Sequence, residues 1–238
     1  MIETFAALLL AHVVADFLLQ TNWMVETKRR PGTLLLHALL VAATAYAALG
    51  RIDIWEPLAL AAAHILIDII KTFALPARLW SFMTDQAAHL ATLIALAVLA
   101  PGLFDGGLWA DLEWMPSAMV LVAGLILAAP AGGYAIALLV KPLESDAPKG
   151  LPDGGRLIGL LERGMIFVLI LVGQPAGIGF LIAAKSVLRF ESAKSLNASE
   201  YVIIGTLASF GWAMIAGWAT LGLLSGLTPL PFLPEPSP

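Results

Sequence analysis

The sequence predicts an all-α polytopic membrane protein, a transmembrane helical bundle of about eight segments whose first four helices are a tandem duplicated hairpin. Three observations predict it. The chain is 60% hydrophobic and only 13% charged, with a mean hydropathy of +0.89, where soluble domains average about 25% charged residues. Its apolar residues fall in runs close to the ~20 residues that cross a bilayer as a helix. Its first hundred residues repeat: AHVVAD, with His12 and Asp16, returns as AHILID, with His64 and Asp68. Each motif is followed by a lone histidine 25 residues on, His37 and His89, so the pattern recurs at an offset of 52 and uses all four histidines of the chain.

The elements follow in order. The first segment runs from Glu3 to Gln20 and is stopped by Lys28, Arg29, Arg30 and Pro31. Its opening, MIETFAALLL, lacks the positive flank of a signal peptide, so the segment is expected to be retained. The second covers Gly32–Gly50, and Arg51, Asp53 and Pro57 form the connection after it. The third covers Leu58–Leu75, stopped by Pro76, and the fourth covers Ser81–Ala100, stopped by Pro101-Gly102. A loop with acids and tryptophans but no Lys or Arg leads to the fifth, Pro116–Val140, where Pro130 removes a backbone donor and predicts a kink. The sixth is Leu157–Val172. The seventh, 176–188, is short for a span and fits a tilted or re-entrant piece. The eighth is Tyr201–Leu224. Grouped by composition, residues 1–102 form a duplicated four-helix membrane unit and 103–140 an outer loop with the fifth span. A cytoplasmic linker covers 141–156, a three-segment C-terminal unit 157–226, and a Pro-rich tail 227–238.

Loop charge predicts orientation. Lys28–Arg30, Lys71/Arg78, Lys141/Lys149/Arg156 and Lys185/Arg189/Lys194 fall in the odd-numbered loops, and the even ones hold only Arg51. The positive-inside rule then makes the odd loops cytoplasmic and both termini external. On that topology His12, His37, His64 and His89, together with Asp16, Asp68 and Asp85, fall in the cytoplasmic half of the bilayer. Ionised groups facing lipid cost several kcal/mol, so these residues are expected to converge on a shared interior.

The residue types point to metal chemistry. No cysteine is present, which excludes disulfides and thiolate sites and leaves imidazole and carboxylate as ligands, suited to a divalent transition metal, Zn or Fe. His and Asp four residues apart let one helix supply two ligands. The expected ligands are His12, Asp16, His37, His64, Asp68 and His89, with Asp16, Asp68 or Asp85 as catalytic base. His12 and His64 can share an ion only within roughly 8 Å of each other. Gln20, Lys71, Gln86, Arg163, Lys185 and Arg189 are the candidate substrate or anion contacts, Lys71 being also the expected counter-ion of Asp68. The plainer alternative is that such pairs only hold helices together, worth about 0.6 kcal/mol each; Glu162–Arg163 and Lys185–Arg189 also fit interfacial snorkelling. The net charge of −4 and the absence of a basic patch give no reason to expect nucleic acid as a partner; membrane lipids are the expected neighbours. Oligomeric state is left open.

LLLAHVVADFLLQT, the HILID segment and the distal LIGLLERG…AAKSVLRF…SEYVIIGTLAS stretch together resemble the bacterial membrane family named domain of unknown function 3307. The opening H-x-x-x-D-F-x-L-Q, here His12, Asp16, Phe17, Leu19 and Gln20, carries most of the resemblance. It implies a multi-pass protein of the bacterial cytoplasmic (inner) membrane and no particular activity. A fainter similarity is to membrane-bound metal-dependent hydrolases with H-x-x-x-D helices, although their paired-histidine opening is missing here. The leading expectation is a metal-dependent hydrolase acting on a lipid-linked or membrane substrate at the cytoplasmic leaflet. The alternatives are a cation or proton transporter built on the same cluster and a non-catalytic membrane scaffold.

Overall fold

The computed structural model describes residues 1–146, 153–189 and 196–230, and side chains except those at 144–146, 186–189 and 196–198. Lys149, Lys194, most of the expected Pro-rich tail and the side chain of Arg189 therefore lie outside the described residues. The described chain is all-α. Helix α1 (Ile2–Val14) continues into a wide π-helical turn, Ala15–Leu19, and stops at Gln20. A short α2 (Asn22–Glu26) follows, capped by Thr21, whose Oγ1 accepts from the Met24 N–H. Then come α3 (Pro31–Leu49), α4 (Glu56–Ala74) and α5 (Leu79–Leu99). Pro31 and Pro57 sit in the first turns of their helices, where no intrahelical N–H bond is lost. Helix α6 (Met115–Ile126) passes through a second π turn, Leu127–Ala131, into α7 (Gly132–Val140), followed by α8 (Gly154–Leu171), α9 (Ala176–Arg189) and α10 (Leu196–Leu224).

Among the described residues, six helical stretches are long and apolar enough to cross a membrane: Ile2–Leu19, Pro31–Leu49, Glu56–Ala74, Leu79–Leu99, Met115–Leu143 and Ser199–Leu224. The expected sixth and seventh segments exist as α8 and α9 but are not among these six. Arg156, Glu162 and Arg163 interrupt the apolar run of α8, and the apolar part of α9 ends at Lys185.

The chain forms two compact units, which divide inside α6 between Ala123 and Gly124. In the first unit α1 packs on α3, α3 on α4, α4 on α5, and α5 back on α1, closing a ring of four helices. Small residues let the backbones approach: Ala6, Ala7, Ala11, Ala15, Ala45 and Ala97 are buried. The outward faces carry Leu35, Leu39, Leu66, Ile70, Ile94 and Val98, all exposed. Large apolar residues outside and polar ones inside is the arrangement that a lipid surround favours and water does not. One end of the ring is tied by buried Thr4, whose Oγ1 donates to Pro101 O at 2.7 Å and accepts from the Phe104 N–H. Gly50 ends α3 in the left-handed conformation, φ 68°, which glycine adopts without a steric penalty. The Leu108 N–H then donates to Gly50 O, and the Trp109 indole donates to Ala47 O.

The second unit is built around the turn that Pro130 widens. Pro has no N–H to give and its ring crowds the preceding turn, so the helix opens there. Two side chains donate to carbonyls of the opened turn: the Trp212 indole to Leu127 O at 2.8 Å and Arg163 Nε to Ala129 O at 2.9 Å. Ile166, Ile170, Ile178, Phe210 and Ala213 pack into a buried cluster of this unit.

Candidate metal centre

The site is assembled by the inward faces of the four-helix ring. In α1 and α4 the H-x-x-x-D spacing puts each histidine and aspartate one turn apart, as the sequence leads one to expect. The two motifs are not presented alike. Asp68 lies on a regular stretch of α4, whereas Asp16 lies in the π turn that ends α1. Asp16 Oδ2 stands 3.9 Å from Nδ1 of its own His12, close to the 3.7 Å of the His64–Asp68 pair, and the carboxylate also reaches the next two helices. Its Oδ1 stands 3.3 Å from His37 Nε2 on α3 and 3.3 Å from His64 Nε2 on α4. The two Nε2 atoms are 3.0 Å apart. Asp68 Oδ2 joins them at 3.5 and 3.7 Å.

These separations fit one small cation. Ligand atoms held tetrahedrally at ~2.1 Å lie about 3.4 Å from one another, and the nitrogen and oxygen donors here match the chemistry of Zn²⁺ or Fe²⁺. The environment is dry: His12, His37, His64, Asp68, Asp85 and His89 are all buried, and Asp16 is nearly so. Buried polar atoms ordinarily find partners. Here Asp16 Oδ1, Asp68 Oδ2, Asp85 Oδ1, the Nδ1 atoms of His12 and His37, and both nitrogens of His89 have no hydrogen-bond partner. Three sets of donor atoms lie close enough to hold an ion: Asp16/His37/His64, His12/His64/His89 and Asp68/Asp85/His89.

All four imidazoles adjoin. Ring centroids are 5.0 Å apart for His37–His64, 4.0 Å for the stacked His64–His89 pair, 5.1 Å for His12–His89 and 5.6 Å for His12–His64. His12 and His64 thus stand inside the ~8 Å within which two histidines can share an ion. Two lysines complete the site, and here the expectation needs correcting. Lys71 pairs with Asp85, not with Asp68, because it projects toward α5. The partner of Asp68 is Lys28, from the α2–α3 connection, at 2.7 Å. Spacing along one helix could not reveal Lys28; its position in a loop beside the cluster was the only signal. In each pair the carboxylate gives one oxygen to lysine and leaves the other facing the imidazoles at 3.5–3.7 Å, without a hydrogen bond. Gln86 reaches His12 Nε2 at 3.3 Å with its carbonyl and donates to Asp85 Oδ2 from its amide nitrogen. Gln20 closes the π turn, its N–H donating to Ala15 O, and is half-buried.

The remaining expected contacts lie in the other compact unit. Arg163 is buried and committed, to Ala129 O and to Ser209 Oγ. Gly132, Gly133 and Gly159 make room for it; a Cβ at any of them would come within 3.0 Å of an Arg163 atom. Lys185 pairs with Glu162. Arg189 ends α9, and its side chain lies outside the described residues.

No curated protein and no solved structure matches the chain, and nothing found supports the similarity to membrane-bound hydrolases. The resemblance carried by the H-x-x-x-D-F-x-L-Q motif holds over the part of the chain that builds the ring. Residues 4–106 match the model of a family described as a protein of unknown function, DUF3307.

Proposed function

We propose that this protein is a metal-dependent membrane hydrolase whose centre lies in the four-helix ring and opens toward the cytoplasmic leaflet of the bacterial inner membrane. The observation that carries the reading is the convergence of Asp16 Oδ1, His37 Nε2 and His64 Nε2 at 3.0–3.3 Å, with unpaired buried oxygens around them. Asp16, His37, His64 and Asp68 hold the ion; His12 and His89 complete the imidazole set. A divalent ion there supplies a Lewis acid and lowers the pKa of a bound water to about 7. Asp85, steadied by Lys71, is the candidate base, and Gln20, Lys71 and Gln86 border the substrate. The substrate is lipid-linked or membrane-embedded. The basic residues of the odd loops support the cytoplasmic orientation, with both termini outside, and α8 and α9 bring the bundle to eight segments.

We read the ring as a tandem duplicated hairpin, α1/α3 followed by α4/α5. The cyclic order of contacts α1–α3–α4–α5–α1 is the order that a pseudo-twofold axis along the membrane normal gives, and the 5.0 Å His37–His64 pair is mirrored by the 5.1 Å His12–His89 pair.

The test is the metal content of the full chain purified in detergent, followed by hydrolysis assays on lipid-linked esters in nanodiscs. Expected is a bound transition metal whose amount falls in His37→Ala and in Asp16→Asn, with hydrolysis lost in parallel. Purified protein free of transition metal removes the proposal.

A second reading, a proton or cation transporter, draws on the unbroken run of adjoining imidazoles. Against it stands the far end of the ring, filled by Ala6, Ala7, Leu8, Leu49 and Leu93, all buried. Asp16-dependent flux in proteoliposomes is the result that favours it.

A further inference from the structure

We infer that the ring holds two metal ions rather than one, the second bound by Asp85, which then serves as a ligand rather than as the base, with His89, His12 and the shared carboxylate of Asp68. The inference rests on the metal reading proposed above. Four observations carry it.

The first is His89. It is 1% exposed; its Nδ1 has no partner, and its Nε2 has only the long contact with Asp85 Oδ1. A buried imidazole normally has at least one nitrogen well satisfied; one held this loosely among donors of the same kind is placed for a ligand. Its Nε2 lies 3.5 Å from Asp85 Oδ1, the separation of two atoms sharing an ion at ~2.1 Å.

The second is stacking. His64 and His89 lie 4.0 Å apart with 27° between their planes. Two rings stacked at that distance are spaced like the ions of a two-metal site, so each can serve a different ion. Ions in two-metal sites are about 3.5–4 Å apart.

The third is the paired use of carboxylates. Lys28 takes Asp68 Oδ1 and Lys71 takes Asp85 Oδ2. Each lysine fixes its carboxylate so that the free oxygen points at the imidazoles, as hydrogen-bonded neighbours of metal ligands do. Asp68 belongs to both donor sets: its Oδ2 lies near His37 and His64, and it also groups with Asp85 and His89.

The fourth is the repeat. Exchanging the two hairpins maps Asp16, His37 and His64 onto Asp68, His89 and His12, so the first donor set has a counterpart made of these residues. Asp85 has no counterpart in the first hairpin, since Thr33 stands at the matching position. The second subsite therefore carries an extra carboxylate.

Charge bears on the substrate. Three aspartates and two lysines leave the ring one negative charge when the imidazoles are neutral. Two divalent ions turn that into an excess of positive charge, which an anionic group of the substrate would balance.

The experiment uses the full chain in detergent, stripped with chelator, reloaded with Zn²⁺ and assayed by mass spectrometry of the metal. Two ions per chain are expected. Asp85→Asn and His89→Gln should each bind one, and the double variant Asp16→Asn/His89→Gln none. A native chain that saturates at one ion, lost on Asp16→Asn, overturns this inference and leaves the single-ion reading standing; a chain that binds none overturns both. Retention of two ions in folded Asp85→Asn and His89→Gln also overturns it. Should these variants fail to fold, Mn²⁺ loaded into the native chain decides. Its electron paramagnetic resonance spectrum should show two coupled ions, and the spectrum of isolated Mn²⁺ refutes the second subsite.

Discussion

Replacing Lys28 with methionine separates a metal centre from a merely structural polar core. Lys28 Nζ bonds Asp68 Oδ1 at 2.7 Å, and the Asp68 side chain is only 2% exposed. Methionine keeps most of the stem but removes the charge, leaving a carboxylate buried without its counter-ion. Breaking a buried pair in this way costs ~3–5 kcal/mol. In a chain of this size each kcal/mol moves the midpoint of thermal unfolding by about 2–4 °C, so the metal-free variant should melt roughly 6–20 °C below the metal-free parent. With Zn²⁺ bound, the ion itself compensates the free oxygen of Asp68, which already stands 3.5 and 3.7 Å from the His37 and His64 nitrogens. The same substitution should then cost less than half as many degrees. Tryptophan fluorescence during heating, with excess chelator and with excess Zn²⁺, measures both numbers. An equal loss in the two conditions means that no ion shares the Asp68 charge, and it refutes the assignment of Asp68 as a ligand.

Other outcomes follow from the same geometry. Metal uptake should release protons and weaken as pH falls, because a proton and an ion compete for the same nitrogens; pH-independent uptake speaks against histidine ligation. Thr4→Val removes a hydroxyl that both donates to Pro101 O and accepts from the Phe104 N–H. It should cost about 1–3 kcal/mol, read in a melt, without changing metal content, because the change is far from the imidazoles. Gly132→Ala drives a Cβ against the Trp212 ring and Arg163, and should cost about 1–3 kcal/mol of stability by overpacking. A neutral Gly132→Ala would mean that Trp212 and Arg163 are loosely held.

Much of the ring was legible because membrane burial imposes length and polarity together. Apolar runs located the first five spans to within a few residues, and the four histidines with their two aspartates marked the inward faces before any contact was known. What stayed hidden depends on backbone detail and on groups from other segments. The π turn at Ala15–Leu19 has no proline or glycine to announce it, so AHVVAD and AHILID read as equivalent although Asp16 and Asp68 leave their helices differently. Helical spacing assigned Lys71 to Asp68, the nearest acid in sequence; tertiary packing assigns it to Asp85 across the α4–α5 interface. Arg163 read as a border residue because charge near a span end is usually solvated. The carbonyl at Ala129, beside Pro130, gives it an interior partner instead.

The lysines also explain how an apolar bundle tolerates this cluster. Three carboxylates among hydrocarbon would each carry a penalty of several kcal/mol. Lys28 and Lys71 offset two of them from the ends of the site, without occupying the oxygens that face its middle. Among the described residues no lysine pairs with Asp16. Asp16 has instead the nitrogens of His37 and His64, each 3.3 Å from its Oδ1 and 3.0 Å from one another. A neutral imidazole can donate its N–H to that carboxylate, and a metal ion among these three atoms would replace such a hydrogen bond with two nitrogen lone pairs and one carboxylate oxygen on a single cation. An ion and a proton compete for the same nitrogens, so a proton held there leaves when the metal enters. Coupled proton release therefore reports entry of the ion, and its decrease in Asp16→Asn, with His37 and His64 intact, distinguishes a carboxylate that holds the ion from one that only holds the helices.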